Sequence, residues 1–117
     1  MDDMIIFAIF IPAIMILIGG IWKSNPPKDI NSLYGYRTRM SMLNKDTWDF
    51  AHRLISKIWL VVGFLMFIFT IIAYILIEDK AEAVIIISLV QILIMLLTII
   101  PVEIELKKKF DKKGNLK

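Results

Sequence analysis

The side chains able to do chemistry gather in one polar stretch, YGYRTRMSMLNKDTWDFAHR, at residues 34–53. It holds the only histidine of the chain, His52. An unperturbed imidazole changes charge near pH ~6.5, which makes His52 a candidate proton acceptor or pH-sensitive binding group. Arg37 offers donors in a fixed planar fork suited to a carboxylate or a phosphate. Asp49 and Ser56 stand three residues before His52 and four after it, so all three could approach one another along one helix. A nucleophile and its base on one helix present poor geometry to a substrate, which disfavours hydrolysis and acyl transfer. Acid–base work by His52 with Glu103 on a lipid is only slightly better placed. Cysteine is absent, so thiolate chemistry and a disulfide framework are excluded. With one histidine, a zinc site would need carboxylates for nearly all its ligands. Gly-rich phosphate loops are missing as well, and no metal or other cofactor is expected.

The elements that must hold these residues are membrane spans. The chain is 58% hydrophobic with a mean hydropathy of +0.72, and its apolar residues come in blocks. Residues 4–22, 58–77 and 83–102 carry no charge. Each reaches the ~20 residues needed to cross ~30 Å of hydrocarbon. A water-soluble bundle would interrupt such runs with charge every turn or so to give each helix a wet side. The expected fold is therefore an all-α integral membrane protein. It would be a single membrane domain over residues 1–117, with three transmembrane helices, a connector at 23–57 and a tail at 103–117. A cleaved signal peptide is not expected, because Asp2 and Asp3 replace the basic start and no small-x-small cleavage pattern follows.

Lysine and arginine set the orientation. The connector carries seven, the tail six and the turn at 78–82 one, so thirteen of fourteen fall on one side of the membrane. Loops rich in Lys and Arg stay cytoplasmic, which puts the N-terminus outside and the connector and C-terminus inside. Trp22 and Trp59 fall where their spans would meet the cytoplasmic headgroups, a depth that indole rings favour. A basic inner face resting on anionic lipid accounts for the net charge of +3, so no nucleic-acid partner is expected.

Within this frame, Pro26-Pro27 ends the first helix and favours an extended exit. Gly35, flanked by Tyr34 and Tyr36, permits a tight or left-handed turn. Asn44 has the type and position of a helix N-cap, with Asp46 in the first turn where the dipole favours negative charge. From a start near Lys45, Trp48, His52, Ile55, Trp59 and Gly63 form one stripe, while Asp49, Arg53 and Lys57 form a solvated row on another side. Two readings remain open. In one, the tryptophans anchor an interfacial amphipathic helix that His52 merely tops, the tyrosines anchor at headgroups, and Arg37 meets lipid phosphate or water. In the other, Arg37, Asn44, Trp48 and His52 converge into a polar pocket with tryptophan walls, reached by Glu103 and Glu105. Those carboxylates would then pair with Arg37 or His52, with Lys107 and Lys109 as favoured local competitors. Inside the spans, Gln91 needs a partner such as Thr70 or its own copy in a second chain, which leaves a homodimer open. Pro12 is a candidate kink, and Gly19-Gly20 or Gly63 would allow close helix approach.

The stretch Gly35-Tyr36-Arg37-Thr38, followed by Ser41-Met42, Asn44, Trp48, Ala51-His52, Trp59 and Gly63, resembles the signature of the SdpI family of bacterial membrane proteins. The resemblance covers about thirty residues of 117. It implies an integral membrane protein of the immunity type, which protects a cell against a secreted toxic peptide and relays its presence to a cytoplasmic regulator. The main alternative is a protein that binds or acts on an anionic lipid or small molecule through the Arg/Trp/His pocket. A third is a small structural subunit with no ligand. In either binding reading the site residues are Tyr34, Gly35, Tyr36, Arg37, Thr38, Ser41, Asn44, Trp48, His52, Trp59 and Glu103.

Overall fold

The computed structural model describes residues 3–117, and Asp2 lies outside them. Its helices are α1 (Met4–Ser24), α2 (Lys45–Leu76), α3 (Lys80–Leu97) and α4 (Ile99–Lys109). The last two form one rod, so three rods are long and apolar enough to cross a membrane. Among the described residues there is no strand, only an isolated antiparallel bridge between Phe110 and Leu116. The bundle measures 52 × 23 × 22 Å.

The rods run up, down and up. At one end Ala8 of α1 packs with Tyr74 of α2 and Ala83 and Ile87 of α3. At the other, Trp22 packs with Ala51 and Ile55 of α2 and Val102 and Leu106 of α4. Phe7, Phe10, Phe64 and Phe69 point outward and are exposed. Water would penalise so large an apolar surface, whereas in hydrocarbon such side chains face a solvent like themselves.

Small residues bring α1 and α2 together. A Cβ on Gly19 would lie 3.0 Å from the Ser56 carbonyl, and one on Gly63 would lie 3.0 Å from Ile16 Cγ1 and 3.3 Å from its backbone nitrogen. Gly20 faces away, with only Leu60 Cδ2 at 4.0 Å. Between the rods, Gln91 Nε2 donates to Thr70 Oγ1 at 2.7 Å and to the Ala8 carbonyl at 2.8 Å. Thr70 is thus the partner that the sequence suggests, and one buried amide joins all three rods.

Three features bear on what the sequence left open or suggested. α2 is unbroken over 32 residues, or about 48 Å, well beyond the hydrocarbon thickness. Its first turns therefore continue the second span outward and do not form a separate interfacial helix. The charged row also pairs differently: Lys45 Nζ meets Asp49 at 2.8 Å, one turn earlier than an Asp49–Arg53 pair. The third span, expected over 83–102, is interrupted only at the turn residue Thr98, whose backbone stays helical, so α3 and α4 continue as one rod. Pro101 explains the interruption, since it has no N–H to offer the Leu97 carbonyl and its ring crowds that carbonyl. Pro12 leaves α1 uninterrupted.

Candidate functional site: a joint between connector and helices

His52 lies one turn beyond Trp48 on α2, and both are fully buried. Its Nε2 accepts the backbone N–H of Tyr36 at 2.8 Å, while Nδ1 stands 2.8 Å from the Trp48 carbonyl. Because Nε2 accepts, the ring proton belongs on Nδ1, where it donates to that carbonyl. Both nitrogens are therefore engaged by backbone. Ser56 Oγ donates to the Arg53 carbonyl and Asp49 pairs with Lys45, so His52, Ser56 and Asp49 do not assemble into a nucleophile–base array.

The connector reaches His52 because residue 35 is glycine. Gly35 has φ +121°, a left-handed backbone angle that side-chain-bearing residues rarely adopt. A Cβ there would lie 2.8 Å from His52 Nε2 and 2.9 Å from Trp48 Cη2. The chain thus lies flat on two buried rings, and the next N–H falls onto the imidazole.

Aromatic rings complete the joint. Trp22 stacks on Trp59 with centroids 5.9 Å apart and meets His52 edge-on at 5.0 Å; the Trp48 and His52 centroids are 4.3 Å apart. All three indole N–H groups are used. Trp48 donates to the Pro27 carbonyl at 2.8 Å, Trp22 to the Tyr34 hydroxyl at 2.7 Å, and Trp59 to Thr98 Oγ1 at 3.0 Å. Trp22 and Trp59, which the sequence places at the depth of the cytoplasmic headgroups, stack on each other, Trp22 buried and Trp59 half-buried.

A second set of bonds ties the connector to α4. Glu103 accepts the Tyr36 hydroxyl at 2.5 Å and the Thr38 hydroxyl at 3.0 Å. Burial, and then the Glu103 carboxylate beside it, push the Tyr36 phenol well above the ordinary tyrosine range. Ser41 closes the turn that follows: its Oγ accepts the Thr38 N–H at 2.9 Å and lies 2.9 Å from the Tyr36 carbonyl. Asn44 is the N-cap of α2. Its side chain accepts the Thr47 N–H at 2.9 Å, and Thr47 Oγ1 accepts the Asn44 N–H at 3.1 Å, a reciprocal capping box. The other end of the Asn44 amide donates to the Gly114 carbonyl at 2.7 Å, which holds the tail against the start of α2.

The expected residues therefore separate. Gly35, Tyr36, Trp48, His52 and Trp59 come together with Tyr34, while Thr38, Ser41 and Glu103 form the adjoining bracket. Arg37 does not converge with them: it is exposed, and its Nε donates to the Asn31 carbonyl at 2.9 Å. Glu103 takes two hydroxyls in place of Arg37, His52 or a local lysine, and Glu105 is the acid that pairs locally, with Lys108 at 3.5 Å. The rings pack on one another and do not wall an open polar pocket. Trp22, Pro27 and Thr98 are essential members that sequence reasoning left out of the site. For Trp22 and Thr98 the signal was present, since an indole and a hydroxyl near a span end need hydrogen-bond partners. The Pro27 carbonyl is backbone and carries none.

Fold and site together define a small multi-pass membrane protein whose connector is fastened to all three rods. The chain belongs to the SdpI/YfhL protein family, whose model matches residues 28–102, a stretch running from the connector into α4. It is 44% identical over 50 residues to a Bacillus subtilis (strain 168) protein described as "Uncharacterized protein YfhL". That match covers 43% of this chain and 46% of the relative, so the chain spans about half the relative's length. No solved structure matches it.

Proposed function

We propose that the protein is a bacterial inner-membrane protein that gives immunity to a secreted toxic peptide and relays the presence of that peptide to a cytoplasmic regulator. The observation that carries this reading is where the family resemblance falls. Its residues include those that fasten the connector to the bundle: the Tyr36 N–H bonds His52, and the Tyr36 and Thr38 hydroxyls bond Glu103, one residue beyond the matched stretch. A connector so fixed has one shape to present, and that shape depends on how the rods sit. The excess of Lys and Arg on the connector and tail supports placing both in the cytoplasm.

Two experiments test this. The first expresses the chain in a strain killed by the secreted peptide of a toxin-producing neighbour. Survival should rise, and should fall back with Gly35→Ala. Normal insertion without protection refutes immunity. The second uses the absence of cysteine. A single Ser32→Cys variant should react with a membrane-impermeant maleimide only after the cells are permeabilised, and labelling of intact cells refutes the orientation.

A further inference from the structure

A cleft of about 620 Å³ opens beside the joint, between the connector turn and the last turns of α4 with its tail. Arg39 and Met40 form one wall, Glu103 and Lys107 the second, and Phe110, Asp111, Lys112 and Lys117 the third. Four cations thus face two carboxylates. Both acids are engaged within the fold. Glu103 accepts the Tyr36 and Thr38 hydroxyls, and Asp111 Oδ1 accepts the N–H groups of Lys113 and Asn115, each at 2.9 Å. Among the described residues the ion pairs are Lys45–Asp49 and Lys108–Glu105, so none of the four cleft cations is in one.

The walls are held in place before any ligand arrives. The connector is bracketed to α4 through Glu103. The tail folds back through the Phe110–Leu116 bridge and the Lys117 N–H to the Lys109 carbonyl at 3.0 Å, and Asn44 pins it at Gly114. The floor is apolar: Phe110 is buried and meets the Phe50 ring edge-on at 5.8 Å, with Met40 half-buried beside it. Lys107 lies four residues beyond Glu103 at the end of the third apolar run. That is about 6 Å of helix, the depth of a headgroup layer.

We propose that this cleft binds the phosphate headgroup of an anionic phospholipid from the leaflet that this end of the bundle meets. The unpaired cations take the phosphate, and the half-buried Met40 packs against the glycerol. The site is separate from the Trp/His joint and does not rest on the immunity reading.

The test is equilibrium binding of dioctanoyl phosphatidylglycerol to the full chain in neutral detergent, with dioctanoyl phosphatidylcholine as the uncharged comparison. Removing one well-placed cation costs about fivefold in affinity. The double variant Lys107→Gln/Lys112→Gln should then weaken binding on the order of 30-fold. Arg39→Gln, on the opposite wall, should weaken it about fivefold by itself. Lys23→Gln/Lys57→Gln removes the same charge elsewhere and should change affinity less than about threefold. Equal losses in the two double variants would mean diffuse surface attraction and overturn the site. Inorganic pyrophosphate displacing the lipid at equal concentration would overturn the lipid assignment in favour of a soluble phosphate.

Discussion

Replacing Gly35 by alanine tests the joint at its tightest point. The added methyl would meet His52 Nε2 at 2.8 Å and Trp48 Cη2 at 2.9 Å, and neither ring has room to withdraw. His52 is held at both nitrogens and lies against Trp22, and Trp48 is tied to Pro27. Overpacking of this kind costs about 1–3 kcal/mol. The backbone adds to it, because φ +121° suits glycine, and holding another residue in a sparsely populated region costs of order 1–3 kcal/mol. The sum is about 2–6 kcal/mol, a large share of the stability of a small domain. Thermal unfolding in detergent, followed by tryptophan fluorescence, reads the loss directly, since all three indoles belong to the joint. Gly20→Ala is the matched control, with open space at its Cβ and a helical backbone that favours alanine. A Gly35→Ala protein within about 1 kcal/mol of the Gly20→Ala protein would refute the claim that the connector lies against these rings.

Two further perturbations address the bracket. Asn44→Ala removes both the N-cap, worth about 1 kcal/mol, and the bond to Gly114, worth about 0.5–1.5 kcal/mol. Asn44→Asp keeps the cap but sets a carboxylate oxygen against the Gly114 carbonyl, so it should push the tail off α2, read as faster amide exchange confined to residues 110–117. The Tyr36 phenol, raised above its ordinary range, holds its proton in the folded protein at pH values where the unfolded chain releases it. Stability should therefore be unaffected below pH ~10 and fall as pH rises beyond it, by at most about 1.4 kcal/mol per unit. Tyr36→Phe should flatten that alkaline slope relative to wild type, and an unchanged slope would place the phenol in solvent.

Much of α2 was legible because periodicity reports which side of a helix is buried. Of the stripe Trp48, His52, Ile55, Trp59 and Gly63, all are buried except the half-buried Trp59, and Asn44 caps where its type and position suggest. Gly19 and Gly63 likewise mark a close helix approach. What periodicity cannot report is which loop crosses that buried side. The partners of His52 and Trp48 are a backbone N–H and backbone carbonyls, groups that carry no side-chain identity, proline lacking only the N–H. The pairing of Glu103 was missed for a related reason. Sequence reasoning matched charge with charge, but a carboxylate is satisfied as well by hydroxyls, and those of Tyr36 and Thr38 are more than sixty residues away. Pro101 alone did not announce the α3–α4 interruption, since Pro12 in a similar apolar run leaves α1 unbroken.

The burial of these residues bears on what they can do. The joint contains three indole N–H groups and an imidazole, each engaged with a partner inside the fold, and freeing any of them in an apolar setting costs about 1–3 kcal/mol. Connector and bundle therefore open together or not at all. A partner cannot bind Trp48 or His52 without dismantling the joint, because neither has exposed surface. The residues it could touch are their outward-facing neighbours in the same loop. Arg37 and Arg39 are exposed, Leu33 is 92% exposed, and the Tyr34 ring is half exposed while its hydroxyl is held by Trp22. The buried signature residues thus fix the position of an outward-facing surface, to which the signature itself contributes only Arg37 of these four. A change in the tilt of α1 or of the third rod would reach that surface through the Trp22–Tyr34 bond and the Tyr36–Glu103 bond.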